Sequence, residues 1–212
     1  MNNSNILTNF IAIDIETTGL NHYNDQIIEI SAYKFKDSQT AESFVQLINP
    51  NKKISDFISN LTSITNEDLK NAPSLKDIEN DFFNFIGDFP LVFHNAKFDT
   101  KFLNQKLKKI ITNEILDTLF LFRIANPFLP TYKLEYLAKL FNLEGEHYHR
   151  ASTDALITGQ LFLKLPYLFG NYSKQTLKQL KTYANIKIYT KFFTEIIANF
   201  DFFHKNKILI QI

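Results

Sequence analysis

Cysteine is absent from this 212-residue chain, which excludes a disulfide framework and any thiolate metal site. That absence is compatible with a reducing compartment. No apolar run is long enough to span a membrane, and the opening Met1-Asn2-Asn3-Ser4-Asn5 lacks the basic segment and apolar core of a signal peptide. A soluble, intracellular, cytoplasmic protein is the expectation. A strong charge of either sign is also missing: the formal net charge is +1, so no global basicity marks a nucleic-acid binder. Arginine is scarce. Lysine supplies almost all the cations and asparagine abounds, a bias that reads as the nucleotide composition of the source genome rather than as function.

What remains has the size of one ordinary domain with an appendage, and 45% hydrophobic residues are ample for a core. The small net charge hides an uneven distribution. From Pro166 to Ile212 seven lysines face Glu195 and Asp201, a net of +5, which leaves −4 of the total +1 to residues 1–165. The chain therefore divides into a main domain, 1–165, and a basic C-terminal extension, 166–212, carrying ten aromatic residues. An acidic domain suits a metal site. A basic tail can attract a phosphate backbone or a partner, although lysines also form the solvated face of ordinary helices. Its aromatics are sufficient to pack it on the main domain.

Phe10-Ile11-Ala12-Ile13-Asp14-Ile15-Glu16 reads as a buried strand from its length and β-branched content. Alternation puts Asp14 and Glu16 on one face, Ile13 and Ile15 on the other. Two acids facing the same way in an apolar strand repel each other and resist desolvation unless a cation lies between them. Capping of a neighbouring helix is the plainer alternative. Thr17-Thr18-Gly19 then turns the chain, with Gly19 free to take a positive φ and with N–H groups and hydroxyls able to meet a nucleotide. A second buried strand, in Leu91-Val92-Phe93-His94-Asn95-Ala96-Lys97-Phe98-Asp99, runs into a helix whose first turn holds Asp99, a place where the helix dipole by itself favours an acid. His149-Arg150-Ala151-Ser152-Thr153-Asp154 leads into another helix. There His149 falls in the preceding loop, and an inward-pointing helical Asp154 is a poor choice for packing, which favours a ligand.

Taken in order, these segments resemble the three motifs of DEDD-type 3′-to-5′ exonucleases of the DnaQ-like family, in its histidine-bearing (DEDDh) branch, to which the proofreading subunit or domain of bacterial DNA polymerase III belongs. In that family the acid-x-acid strand, the His-Asn-x-x-Phe-Asp segment and the His-x-Ala-x-x-Asp segment supply four metal ligands and a general base. The matching positions here are Asp14, Glu16, Asp99 and Asp154 as ligands and His149 as base. The likeness continues through Gln26-Ile27-Ile28-Glu29-Ile30, Ile48-Asn49-Pro50, Ile64-Thr65-Asn66 and Asp117-Thr118-Leu119, and covers roughly residues 9 to 165. One position departs. Relatives often have glycine just before the Ile-Thr step where this chain has Ser63, and a serine is strained if that turn needs a positive φ.

The resemblance implies an α/β fold with a ribonuclease H-like mixed β-sheet flanked by helices, and two divalent metal ions, Mg2+ or Mn2+, which suit an all-oxygen ligand set. It implies that His149 accepts the proton of the attacking water, with His147 as its competitor two residues away. Thr17, Thr18, Gly19, His94, Asn95 and Phe98 are then the expected contacts to the terminal nucleotide, Phe98 being equally readable as core. The implied reaction releases 5′-mononucleotides from 3′ ends of single-stranded DNA or RNA. DNA proofreading or repair, with a DNA polymerase complex as a possible partner, is the favoured role. The alternatives are an RNA-trimming or oligoribonuclease-type enzyme and a polymerase-docking module with incidental nuclease activity. Oligomeric state has no signature.

Strands are expected near 9–16, 26–36, 41–48, 90–94 and 114–118. Thr65-Asn66-Glu67-Asp68 and Ser74-Leu75-Lys76-Asp77 resemble capped helix starts, and Leu134, Leu137, Ala138 and Phe141 mark a further amphipathic helix. In the extension, Ser173-Lys174-Gln175-Thr176 opens a helix, whereas Ile186-Lys187-Ile188-Tyr189 alternates like a strand. Glu29 is expected to make a structural hydrogen bond rather than to bind metal, His22 and His204 to be solvent-facing or structural, and Gln160-Leu161-Phe162-Leu163 to be core.

Overall fold

The computed structural model describes residues 5–143, 150–184 and 187–210. His147 and His149 lie outside them. Strands β1 (Phe10–Thr17), β2 (Ile27–Lys36) and β3 (Gln39–Leu47) form an antiparallel meander, and β4 (Leu91–Phe93) and β5 (Ile115–Asp117) extend the sheet in parallel beyond β1, giving the order β3-β2-β1-β4-β5. This is the expected mixed α/β sheet. Parallel pairing needs crossovers, and those are helical. Helices α1 (Asp56–Thr62), α2 (Asn66–Lys70) and α3 (Leu75–Ile86) lie between β3 and β4, and α4 (Ala96–Lys106) joins β4 to β5. Then follow α5 (Thr118–Ala125), α6 (Leu134–Leu140) and the long α7 (Ala151–Phe169). Both expected capping boxes are formed, at Thr65 with Asp68 and at Ser74 with Asp77.

The alternation in β1 separates two cores. Ile11, Ile13 and Ile15 join Phe82, Phe93 and Phe102 on the α3–α4 side, whereas Phe10 and Ala12 join Leu161, Phe162 and Leu165 of α7 on the other. The acids of β1 therefore face α7. That helix lies close on the sheet because Gly159 meets the ring of Phe35, and a Cβ at that position would overlap the ring. The Gln160–Leu163 string is core as expected, with Leu161 and Phe162 fully buried.

Two expectations about the extension change. Lys187 to Ala198 is a helix, α9, not a strand, between α8 (Lys174–Tyr183) and α10 (Phe200–Lys205). Tyr189, Phe192, Phe193 and Ile196 are buried at helical spacing, and four alternating residues could not outweigh that longer period. The boundary at 165 falls inside a helix, since α7 continues through Pro166 to Phe169. Phe192 packs against Phe162 and Phe169, so aromatics of the extension share one core with α7. His204 is structural, its Nδ1 lying 2.8 Å from the Gly170 carbonyl oxygen. Among the described residues no helix is long and apolar enough to cross a membrane.

Candidate active site

Three of the predicted residues converge. Asp14 and Glu16 from β1 and Asp154 from the first turn of α7 each offer a carboxylate oxygen within 4.8 Å of the others. Asp99 lies in the first turn of α4, 3% exposed, and of the neighbouring charges its own acts most strongly on Asp14. Burial, then the charges of Asp99, Asp154 and Glu16, raise Asp14 well above the carboxylate range. Burial, with the charges of Asp154, Glu29 and Asp99, pushes Glu16 up to about 8, against the pull of Arg150. Asp99 is likewise pushed up to about 8 by burial, although backbone N–H groups of Asp99 and Ile15 stabilise its charged form. Three clustered acids, with Asp99 near enough for its charge to act on two of them, form a hard, oxygen-only donor set, which fits divalent cations such as Mg2+ or Mn2+.

Two further carboxylates hold the helices that carry Asp154 and Asp99. Glu29 is paired with Glu16 across β1 and β2, is fully buried, and accepts from the Arg150 guanidinium (Nε–H to Oε2 3.3 Å, Nη2–H to Oε1 3.2 Å) and from the Ala151 N–H at 3.2 Å. It is thus the structural hydrogen-bond acceptor expected of it, and it fixes the first residue of α7 to the sheet. Asp117, at the end of β5, accepts from Asn95 N–H and Ala96 N–H, both at 3.1 Å, and from the Leu119 and Phe120 N–H groups. One side chain therefore caps the starts of both α4 and α5. Only the Asp117-Thr118 step before an apolar run hinted at this role. The Tyr189 hydroxyl of α9 accepts from the Asp117 N–H at 3.2 Å, which ties the extension to the same strand end.

Several expected nucleotide contacts are engaged within the protein. The Thr17 hydroxyl donates to the Gly19 carbonyl at 2.6 Å. The Thr18 hydroxyl donates to Asp25 and accepts from the Gln26 N–H, both at 3.1 Å. Gly19 does not have the positive φ expected of it. Its lack of a Cβ matters because the Asp25 carboxylate, held by Thr18 and Asn21, would lie 2.5–2.9 Å from that atom. His94 is clamped by both ring nitrogens, Nε2 at 2.8 Å from the Tyr132 carbonyl and Nδ1 at 2.8 Å from the Thr118 hydroxyl. Burial holds its pKa below the ordinary histidine value. A carbonyl can only accept, so Nε2 carries the proton of the neutral ring.

Asn95 and Phe98 remain open to the solvent side. Asn95 is exposed at φ 72° and makes no side-chain cap hydrogen bond. It stands between a cavity of about 700 Å3, lined also by His94, Arg123, Tyr132, Lys133 and Asp154, and one of about 230 Å3 lined by Leu20, His22 and Phe98. Phe98 also packs against the core residue Phe102, ring centres 5.1 Å apart and tilted by 48°, in keeping with its reading as core. His22 lines that smaller cavity.

Comparison with known proteins agrees with this geometry. Residues 11–162 match the RNase T family model, described as Exonuclease. The DNA polymerase III PolC-type of Caldanaerobacter subterraneus subsp. tengcongensis is 42% identical over 159 residues, covering 74% of this chain and 11% of that protein. Its Bacillus subtilis counterpart is 39% identical over 161 residues with the same coverage. The chain thus spans about a ninth of the length of these curated relatives. Among solved structures, Exonuclease X in complex with 5′ overhanging duplex DNA aligns with TM-score 0.64 and 26% identity, over 78% of this chain and 96% of the other. The nuclease domain of 3′hExo, a DEDDh family member bound to rAMP, aligns with TM-score 0.65 and 18% identity over 74% and 91%. The sheet and its helices are ribonuclease H-like, as in these enzymes.

Proposed function

We propose, on the premise that this chain belongs to the RNase T exonuclease family, that it removes 5′-mononucleotides from the 3′ end of single-stranded nucleic acid in DNA proofreading or repair. The observation that carries the proposal is the convergence of carboxylate oxygens of Asp14, Glu16 and Asp154 within 4.8 Å, with the charge of Asp99 acting on the first two. Asp14, Glu16, Asp99 and Asp154 would hold the divalent ions. When bound, these supply Lewis-acid stabilisation of the scissile phosphate and an acidified water. The chain's own part is to fix three half-buried acids and the buried Asp99 in a mutually repelling array, so that cation binding relieves a repulsion the fold otherwise sustains. Glu29 and Asp117 hold the helices that bring Asp154 and Asp99 to the strand. His149, five residues before Asp154, takes the water proton as general base, a role suited to a side chain titrating near neutrality. Asn95 and Phe98 receive the terminal nucleotide at the mouths of the two cavities.

The DNA role draws support from the relatives named as DNA polymerase III and from the neighbour described with duplex DNA. The rAMP-bound neighbour favours RNA as the second substrate class. The test is to incubate the purified protein with 5′-labelled single-stranded DNA and matched RNA in Mg2+, Mn2+ or EDTA and resolve the products by length. A ladder shortened stepwise from the 3′ end, stopped by EDTA and faster on DNA, is expected. A faster RNA ladder would move the enzyme to RNA trimming, and no metal-dependent shortening would leave a docking module.

A further inference from the structure

The chain contains only two arginines, and both border the acidic cluster. Arg150 is bound to Glu29. Arg123, at the last turn of α5, lines the larger cavity together with Asp154 and has no ion pair or hydrogen bond among the described residues. In a chain that meets almost every other need for positive charge with lysine, a planar five-donor cation at this place calls for a reason.

Its surroundings are built. The guanidinium lies over the Tyr132 ring, 5.7 Å from its centre. Tyr132 is itself fixed at backbone and side chain: its carbonyl is held by His94 at 2.8 Å, and its hydroxyl donates to the Asn126 carbonyl at 2.9 Å. A guanidinium stacked on an aromatic face keeps its in-plane N–H donors for another ligand. Lys133, next in sequence, is exposed on the same cavity and is also in no ion pair among the described residues. The acid on this wall, Glu135, is paired with Lys139 at 2.8 Å. The cavity is thus lined by Asp154 of the acidic cluster and by two cations, Arg123 over the Tyr132 ring and its neighbour Lys133.

We infer that Arg123, seated on Tyr132 and assisted by Lys133, is a phosphodiester-binding subsite for the strand upstream of the terminal nucleotide. Planar, bidentate donors suit a phosphate's oxygens, and the site sits on the wall of the cavity that opens onto Asp154. This inference rests on the nuclease reading of the acidic cluster. It predicts that Arg123 is needed for a strand but not for a mononucleotide ester.

Two measurements on wild type, Arg123→Ala and Lys133→Ala test it. The first is binding of a short fluorescein-labelled oligothymidylate in EDTA, followed by anisotropy across a salt series. The second is Mg2+-dependent hydrolysis of the p-nitrophenyl ester of thymidine 5′-monophosphate, which has no upstream phosphate. Each variant should weaken strand binding, Arg123→Ala by about tenfold, and lower the slope of log affinity against log salt by about 0.7, with ester turnover unchanged. Unchanged affinity and slope in both variants would overturn the subsite, as would a wild type that does not bind the strand. Equal loss on strand and ester would overturn it too, by showing that Arg123 supports the acidic cluster instead. Absence of ester hydrolysis in the wild type would count against the nuclease reading alone, since strand binding is read without metal.

Discussion

Asp14, Glu16 and Asp99 set a sign that stability measurements can read. Each is raised above the unfolded carboxylate value of about 4, the last two to about 8, so the metal-free fold keeps protons that the unfolded chain has already released. Their favourable contribution is complete below about pH 4 and is lost as pH rises towards 8. Thermal unfolding in EDTA should therefore move to lower temperature between about pH 5 and pH 8, and Mn2+ should restore it more at the upper end. Asp14→Asn should flatten that fall, and a melting temperature that climbs across the interval in EDTA would contradict the assignment. For turnover, Asp14→Ala or Asp154→Ala should abolish hydrolysis while the protein stays folded, and near-wild-type rates in either would remove them from the site. Ser63 gives a separate prediction. It ends α1 at φ 59° and ψ 16°, in the left-handed region anticipated from the missing glycine, and it is exposed. Ser63→Gly should stabilise the protein by about 1 kcal/mol in denaturant unfolding, because it relieves that strain at the cost of some chain entropy.

The first residues of α4 and α7 are tethered to the sheet where their acids meet β1. Glu29→Ala would leave the Arg150 guanidinium and the Ala151 N–H without their acceptor, costing about 2–3 kcal/mol of stability. It should also weaken Mn2+ binding by about 10–100-fold through displacement of Asp154. A variant that loses stability with Mn2+ affinity unchanged would show that the tether serves the fold alone. These tethers mark the limit of what could be read from the chain. The acids of β1, the strand positions and the capping boxes at Thr65 and Ser74 are legible because alternation and capping are local. Glu29 meets Arg150 across 121 residues of sequence, and the caps that Asp117 provides for α4 depend on where β5 lies beside β4, so no local pattern reveals them. Gly19 is a related case. Its turn suggested a φ requirement, whereas the constraint is the Asp25 carboxylate packed against it.

The extension belongs to the body that carries the site. Phe192 is fully buried between Phe162 and Phe169, and Tyr189 reaches the strand end that holds Asp117. Phe192→Ala should destabilise the whole protein in one cooperative transition by about 3–5 kcal/mol in denaturant unfolding. A separate early transition would instead show the extension to be an independent unit. The molecule as a whole is acidic where it would hold cations and carries its two arginines beside those acids, a division of charge that the net value of +1 conceals. On the proposed function, these acids bind divalent metal. The most direct test is a Mn2+ titration by electron paramagnetic resonance in the presence of a 5′-mononucleotide. Saturable binding to the wild type, lost in Asp14→Asn and Asp154→Asn, is the expected result; binding that is absent from the wild type or undiminished in both variants would contradict a metal role for these acids.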